Sequence, residues 1–185
     1  MKVKILPSKT SGEVSAPPSK SFAHRYLIGS VLSCGKCVIK NIADSDDISA
    51  TLSCIEQLGG SVTKDGNIVT VIPTNEKQIE NAVFDCKESG STLRFFIPVV
   101  LATGAKNCTF LGSERLLARG IKEYEKLFEN SDVKIKSDEK SIEVNGTLSA
   151  GNYEISGEVS SQYTTGMLSL IHLSEPTRRS YISYA

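Results

Sequence analysis

Apolar residues recur with helical spacing in three similar stretches of the chain, and each stretch opens on small hydroxyl residues. The first, SKSFAHRYLIGSVLSCGKCVIKNI from residue 19, predicts a helix that stops near Gly35 and a strand after it. SGSTLRFFIPVVLATGAKNCTFLG repeats this order, with Ser91 lying 70 residues after Ser21. A third copy opens at SSQYTTGML, where Ser161 lies a further 70 residues along the chain. The spacing indicates a repeated structural unit.

A second helix and a hairpin follow each of the first two copies. The apolar stripe of ISATLSCIEQLGG consists of Ile48, Leu52, Ile55 and Leu58. GIKEYEKLFENS has the same amphipathic character. Apolar and polar residues alternate on both sides of Asp65-Gly66 in SVTKDGNIVTV, which predicts a hairpin with a type I′ turn. They also alternate in DVKIKSDEKSIEV, around a longer polar turn. We therefore expect an α/β (α+β) protein whose units each carry a sheet and two helices, with three units packed into one lobe.

Composition and charge limit the kind of site that this lobe can carry. The chain has 185 residues, 39% of them hydrophobic, and 21 basic residues balance 21 acidic ones. A neutral chain has no general field for nucleic acid or anionic membrane, so any anion site must be local. No apolar stretch approaches the ~20 residues of a membrane span, and the N-terminus lacks the apolar segment of a signal peptide. We expect a cytoplasmic protein that binds neither nucleic acid nor membrane.

The five cysteines favour reduced thiols over a disulfide framework, because they are odd in number and scattered. Cys34 and Cys37 form a CxxC motif. A zinc ribbon needs a second such pair, and a thioredoxin-type motif lies at a helix start, whereas Gly35 marks a helix end. We expect structural cysteines and no metal site, although the spacing alone leaves metal or redox roles open.

The segment PPSKSFAHR, residues 17–25, concentrates charge and hydroxyls at the start of the first helix. Ser19 or Ser21 can cap the helix, and Ser21 and Arg25 share a helical face with Lys20 beside them. The arginine guanidinium can form bidentate hydrogen bonds with a carboxylate or phosphate, and lysine supplies a compact positive charge. A capped helix with solvated basic residues is the simpler interpretation of this segment alone.

The other two copies bring comparable groups to the same position. ESGSTLR contributes Gly90, which allows close backbone approach, and Arg94 one turn later. SERLLARG adds Arg119, and the third copy adds uncharged donors at its start. Since helix N-termini attract anions, a symmetric arrangement predicts one cleft for a ligand with several negative groups. The residues expected to meet there are Lys20, Arg25, Arg119, Ser160 and Ser161.

Five ordered motifs, PPSKSFAHR, ADSDD, ESGSTLR, SERLLAR and SGEVSSQY, resemble the 5-enolpyruvylshikimate-3-phosphate synthase family over residues 1 to about 168. The resemblance implies transfer of the enolpyruvyl group of phosphoenolpyruvate to the 5-hydroxyl of shikimate 3-phosphate, with release of phosphate, in aromatic amino acid biosynthesis. It implies an inside-out α/β barrel built of βαββαβ units, three in each of two lobes. It also implies a monomer that needs no metal or organic cofactor.

The resemblance assigns roles residue by residue. The groups implied for shikimate 3-phosphate are Lys20, Ser21, Arg25, Ser160, Ser161 and Gln162. Those implied for phosphoenolpyruvate are Lys20, Gly90, Arg119 and Gln162, with Ser91 and Arg94 as supporting residues. No catalytic residue is expected in this chain, because the general base of the family lies in the other lobe.

Two alternative functions remain open from the residues. The sibling family that transfers enolpyruvyl to UDP-N-acetylglucosamine typically has Lys-Asn where this chain has Lys20-Ser21, and a loop cysteine where this chain has SERLLAR. A non-catalytic module that binds anions or RNA would show stacking aromatics and a basic excess, but only 6% of residues are aromatic. Both alternatives are therefore less favoured than the synthase.

The chain departs from the family in length and at its end. We expect N-terminal strands over residues 1–17 that pair with an absent lobe, and a lobe over 18–168. Its units would span about 18–87, 88–156 and a truncated third from 157 to 168. Residues 169–185, SLIHLSEPTRRSYISYA, are polar and broken by proline, so we expect a non-family tail from a frameshift, artefact or read-through, with natural divergence as the alternative. Such a fragment is expected to be inactive alone and to expose apolar surface beside its third unit.

Overall fold

The computed structural model describes residues 3–4, 9, 11–73 and 79–168. Residues 11–19 lead into the first helix without forming a helix or strand, and the segment 169–185 lies outside the described residues. The helices are α1 Lys20–Val31, α2 Asp46–Gln57, α3 Gly90–Ala102, α4 Glu114–Ala118, α5 Lys122–Phe128 and α6 Ser161–Leu168. The strands are β1 Cys37–Ile39, β2 Ser61–Asp65, β3 Ile68–Ile72, β4 Ile79–Glu80, β5 Val83–Asp85, β6 Ala105–Leu111, β7 Lys134–Ser137 and β8 Ser141–Gly146.

Serine caps explain where four of the helices begin. The hydroxyls of Ser19, Ser45, Ser89 and Ser113 each accept a hydrogen bond from the backbone N–H three residues later. Of the two candidate caps of α1, Ser19 is the cap, and Ser21 lies inside the first turn. This leaves the Ser21 hydroxyl outside the capping interaction.

Two sheets flank the helices. The first has the order β1-β3-β2, and the second has β4-β6-β8-β7 with β5 also paired to β6. The β1, β2 and β3 pairings are antiparallel, as are those among β6, β7 and β8, whereas β4 and β5 run parallel to β6. The order β1-β3-β2 therefore has the same form as β6-β8-β7 in the second sheet.

The turn between β2 and β3 differs from the prediction. Asp65 pairs with Ile68, so the two turn residues are Gly66 and Asn67. Only Gly66 has a positive φ, of 56°, whereas a type I′ turn needs positive φ at both central residues. The type I′ prediction is wrong, and the Asn67 carbonyl instead accepts a hydrogen bond from the Ile42 N–H at 2.9 Å.

The core centres on α3, whose residues from Thr92 to Leu101 are all buried. The apolar stripe predicted for α2 is confirmed in Ile48, Ile55 and Leu58, which are buried. Leu52, its fourth member, is partly buried and packs against the core. Because α3 is enclosed by its neighbours, its first turn has a fixed position relative to the other helices.

A proline inside α3 creates the attachment point for α5 and α6. Pro98 has no N–H to donate to the Arg94 carbonyl, and the Tyr124 hydroxyl donates to that carbonyl at 2.6 Å instead. Gly166 of α6 lies at the same place, where an added Cβ would be 2.5 Å from the Arg94 carbonyl oxygen and 2.3 Å from the Tyr124 Oη. The missing side chain therefore lets α6 pack closely against α3.

Candidate functional site

The first turns of α1 and α2 meet through an ion pair. The Lys20 ammonium lies 2.8 Å from a carboxylate oxygen of Asp47, and the side chain of Lys20 remains 55% exposed. Asp47 stands in the first turn of α2, where a carboxylate is stabilised by the helix N-terminus. Asp47 therefore holds Lys20 at the helix ends while leaving it accessible to a ligand.

The first turns of α3 and α6 meet through the Gln162 side chain. Its Oε1 accepts a hydrogen bond from Arg94 Nη1 at 2.9 Å, and its Nε2 donates to Ser91 Oγ at 2.9 Å. Arg94 is 9% exposed, and its guanidinium lies over the Tyr163 ring at 5.1 Å. The amide of Gln162 is thus fixed in orientation by two partners from the neighbouring helix.

Arg25 connects α1 to both of those helices. Its Nη1 donates to the Ser21 carbonyl at 2.9 Å, and its Nη2 donates to Thr165 Oγ1 of α6 at 3.1 Å. The guanidinium carbon also lies 5.7 Å from the centre of the Phe95 ring of α3. These contacts bring the predicted residues Ser21 and Arg25 next to α6, while Arg25 stays exposed.

Gly90 is confined by Arg94. A Cβ at residue 90 would lie 2.6 Å from Arg94 Nη1 and 3.7 Å from Gln162 Oε1. A side chain at residue 90 would therefore displace the Arg94 guanidinium from its contact with Gln162. The close approach that the sequence predicts at Gly90 is that of a ligand and stays a prediction.

The start of α6 presents two serines. Ser160 Oγ accepts a hydrogen bond from the Gln162 backbone N–H at 3.2 Å, and Ser161 is exposed. Helix starts carry backbone N–H groups without intrahelical acceptors, and α1 adds the exposed cations Lys20 and Arg25. The arrangement suits a ligand that carries phosphate and carboxylate groups.

Arg119 lies apart from this cluster. It is exposed at the end of α4 and lines a small cavity of about 90 Å³ with Glu88, Ser113, Arg115 and Leu116. Glu88 is two residues before Gly90, so Arg119 flanks the α3 side of the site. The described contacts join Arg119 to neither Lys20 nor Arg25, and they bring Arg25 to α6 through Thr165 rather than through Ser160 or Ser161. The convergence of these five residues in one cleft stays a prediction.

A buried polar chain behind the site escaped sequence reasoning. His24 Nδ1 lies 2.8 Å from Thr51 Oγ1, which lies 2.8 Å from Thr92 Oγ1, which in turn donates to the Ser89 hydroxyl at 2.7 Å. Burial lowers the pKa of His24 to about 4; Asp47 acts in the opposite direction, and Lys20 and Arg25 add to the lowering. His24 is therefore neutral near pH 7.

Other features of the described chain do not resemble an anion site. A cavity of about 880 Å³ between α4 and the β7–β8 turn is lined mainly by acidic and apolar groups, including Glu114, Asp138 and Glu139. The five cysteines are free thiols, and burial is the main cause that raises the pKa of Cys108. Among the described residues, no three His, Cys, Asp or Glu side chains are grouped to hold a metal, and no helix is long and apolar enough to cross a bilayer.

Comparison with known proteins gives concordant results. The sequence matches the profile of EPSP synthase (3-phosphoshikimate 1-carboxyvinyltransferase) over residues 6–178. It is 38% identical to the 3-phosphoshikimate 1-carboxyvinyltransferase of Clostridium novyi over 177 residues, covering 90% of this chain and 40% of the relative. The corresponding protein of Clostridium botulinum is 39% identical over 185 residues, with coverage of 93% and 41%.

The fold agrees with this result. The structure of EPSP synthase from Acinetobacter baumannii superposes with a TM-score of 0.68 at 18% identity, covering 85% of this chain and 37% of that one. The chain spans about 40% of the length of the curated relatives that it matches. The profile match, the relatives and the shared fold establish that this chain belongs to the EPSP synthase family.

Proposed function

We propose that this chain forms the shikimate 3-phosphate-binding lobe of a 3-phosphoshikimate 1-carboxyvinyltransferase. The observation that carries the proposal is the meeting of the N-terminal halves of α1, α3 and α6, through Arg25–Thr165 and Gln162–Ser91. Each helix end offers backbone N–H groups, and α1 adds Lys20 and Arg25. A ligand with one phosphate and one carboxylate matches this distribution of positive charge.

Each residue contributes a binding or orienting step to the reaction. Lys20 and Arg25 supply charge for shikimate 3-phosphate, the hydroxyls of Ser160 and Ser161 hold its phosphate, and Gln162 lies between the two substrates. Arg94 and Ser91 orient the Gln162 amide, as described above. The 5-hydroxyl oxygen adds to C2 of phosphoenolpyruvate, the hydroxyl loses its proton, and C3 gains one to give the tetrahedral intermediate. Loss of phosphate from C2 and of a proton from C3 then restores the carbon–carbon double bond. Preorganised charge around both substrates promotes these steps.

The phosphoenolpyruvate site would be shared with residues outside this chain. Gly90 and Lys20 lie at helix starts that face the site, and Arg119 flanks it from α4. His24 cannot act as the general base, because it is buried and hydrogen-bonded to Thr51, and the base is expected outside this chain. We therefore expect no turnover from this polypeptide alone.

The helix contacts support the repeated-unit organisation. Phe22, Thr92 and Tyr163 each lie three residues after the serine that precedes their helix. Thr92 contacts Thr51 of α2, and Tyr163 packs edge-on against Tyr124 of α5 at 4.9 Å. Phe22 is 61% exposed, and its ring stacks on that of Tyr26 in the same helix, its one aromatic contact among the described residues. The corresponding second helix of a third unit would cover Phe22.

That covering helix is not among the described residues. The second helices α2 and α5 begin 26 and 32 residues after the first helices of their units. The same spacing from Ser161 lies past residue 168, where the described residues end. We thus retain units of about 18–87, 88–156 and 157–168, with a partial third unit. The boundary of the tail at residue 169 stays a prediction, as do the N-terminal strands over 1–17, a monomeric state and a cytoplasmic location.

Isothermal titration of shikimate 3-phosphate into the chain tests the proposal. Lys20→Ala and Arg25→Ala should each weaken binding by about tenfold or more, because each removes a charge-assisted contact. Lys126→Ala, which removes an exposed charge on α5, is the matched control and should leave the affinity unchanged. Equal affinity in the unsubstituted chain and both site variants would contradict the proposed function.

A further inference from the structure

A chain of buried polar side chains links the starts of three helices behind the proposed site. It runs from His24 of α1 to Thr51 of α2, then to Thr92 of α3 and the capping hydroxyl of Ser89. The four side chains are at most 2% exposed. Buried hydrogen bonds of this kind restrict the separation of the elements that they join.

The direction of these hydrogen bonds follows from the partners of Thr51. Thr92 donates its only hydroxyl proton to Ser89, so Thr51 Oγ1 is the donor in the 2.8 Å contact with Thr92 Oγ1 and shares that proton with the Asp47 carbonyl at 3.1 Å. The single Thr51 hydroxyl proton is then used, so the 2.8 Å contact between Thr51 and His24 requires a proton on His24 Nδ1. His24 Nε2 is buried and has no hydrogen-bond partner among the described residues. The geometry points to the neutral Nδ1–H tautomer.

The polar chain reaches residues of the proposed site at two points, Thr51 and Ser89. Asp47, whose carbonyl accepts from Thr51, binds Lys20 through its carboxylate. Ser89, at the other end, caps α3 immediately before Gly90. Through its contacts to α1 and α3, Thr51 relates the position of Lys20 to that of Gly90. Lys20 and Gly90 are two of the groups in this chain that phosphoenolpyruvate would contact, together with Gln162 and Arg119.

We propose that Thr51 is a positioning residue that sets the distance between Lys20 and Gly90 and thereby determines affinity for phosphoenolpyruvate. The inference rests on the proposed function. Valine has nearly the shape of threonine but lacks the hydroxyl, so Thr51→Val would leave His24 Nδ1 and Thr92 without their shared partner. Shikimate 3-phosphate, held mainly by α1 and α6, should depend much less on this link.

An NMR titration measures both affinities. Phosphoenolpyruvate is added at saturating shikimate 3-phosphate, and the amide signals of Gly90 and Ser91 report binding in the unsubstituted chain, Thr51→Val and Thr51→Ser. We expect Thr51→Val to raise the Kd for phosphoenolpyruvate about tenfold and the Kd for shikimate 3-phosphate less than about threefold. Thr51→Ser restores the hydroxyl and should stay within about twofold of the unsubstituted chain for both ligands.

The outcomes separate this inference from the proposed function. Equal loss of both affinities in Thr51→Val, or no loss, would overturn the positioning role while leaving the site in place. Response to shikimate 3-phosphate without any response to phosphoenolpyruvate in the unsubstituted chain would also overturn it. No response to either ligand would contradict the proposed function and the inference with it.

Two further measurements cover the case in which Thr51→Val does not fold. Thr92→Val breaks the next link and should give the same difference between the two ligands. The ¹⁵N shifts of His24 in the unsubstituted chain report the tautomer directly. Protonated Nδ1 and unprotonated Nε2 are expected, and a proton on Nε2 would overturn the hydrogen-bond assignment on which the inference depends.

Discussion

The imidazole of His24 illustrates how a residue inside a binding motif can serve the scaffold. The sequence motif PPSKSFAHR places it between the cations Lys20 and Arg25, but it is 1% exposed and points to Thr51. Burial disfavours its charged form, so its pKa is lowered from 6.5 to about 4. The basic residues on either side reach the surface, whereas His24 stays in the core.

Stability should therefore decrease in mild acid. Between pH 6.5 and about 4 the unfolded chain protonates His24 and the folded chain does not, so the free energy of unfolding falls as pH is lowered through this window. The difference at pH 5 relative to pH 7 is about 2 kcal/mol. Urea unfolding at both pH values should show this loss. In His24→Asn, whose side chain cannot titrate, the difference in the free energy of unfolding between the two pH values should be smaller. An equal pH dependence in both proteins would contradict the buried neutral assignment.

Gly90 is a second residue whose environment gives a prediction. In Gly90→Ala the new methyl would lie 2.6 Å from Arg94 Nη1, so the guanidinium must move away from Gln162. We expect a stability loss of about 1 kcal/mol, a shift of the Gln162 side-chain NMR signals and weaker binding of phosphoenolpyruvate.

Gly29→Ala is the matched control, because nothing lies within 4 Å of the added Cβ and alanine favours the helix. It should stabilise the chain by up to about 1 kcal/mol without changing the signals of Gln162. If Gly90→Ala leaves those signals unchanged as well, Arg94 does not depend on the glycine.

The charged and hydroxyl groups of the candidate site were predicted from the sequence, because their types and helical spacing are typical of anion binding. Sequence reasoning did not identify Asp47 as the partner of Lys20, although ADSDD stood out as a motif. The chain through Thr51 and Thr92 was also missed. Its links join residues 27 and 41 positions apart, and isolated threonines have no pattern that predicts such pairing.

At the scale of elements, hydrophobic periodicity predicted the helices well and the short strands poorly. The helices α1, α2, α3 and α5 have regular apolar spacing and serine or glycine boundaries, so their existence could be inferred. Strands β4 and β5 contain two and three residues, too few for an alternating pattern. Their pairing with β6 depends on tertiary contacts, which the sequence does not display.

Pro98 and Tyr124 give a testable coupling between elements. Tyr124→Phe removes the hydroxyl that donates to the Arg94 carbonyl at 2.6 Å, and this buried loss should cost about 1–3 kcal/mol. In a Pro98→Ala background the N–H of residue 98 can donate to the Arg94 carbonyl, so Tyr124→Phe should lower the free energy of unfolding by less. A double-mutant cycle by urea unfolding measures the difference. Equal costs in the two backgrounds would contradict this explanation of the helix contact.

At the scale of the whole molecule, the exposed pair Phe22 and Tyr26 marks a face that another helix is proposed to cover. The rings are each 61% exposed and stack at 6.2 Å between centroids. Phe22→Ser should change the stability of this chain by no more than about 0.5 kcal/mol. In a chain extended by the complete third unit of a relative, the same change should cost about 3–5 kcal/mol, since the ring would be buried. Equal small effects in both chains would contradict the proposed third-unit contact.

If the first turns of α1, α3 and α6 bind one anionic ligand, an NMR titration with shikimate 3-phosphate will detect it at all three helices. We expect the amide signals of Ser21, Ser91, Ser161 and Gln162 to shift together and to saturate with a single Kd. Addition of the same concentration of sulfate should produce smaller shifts at these residues. Shifts confined to another basic surface, such as Lys134 and Lys136 of β7, or no saturable shifts at the three helix starts, would contradict the account.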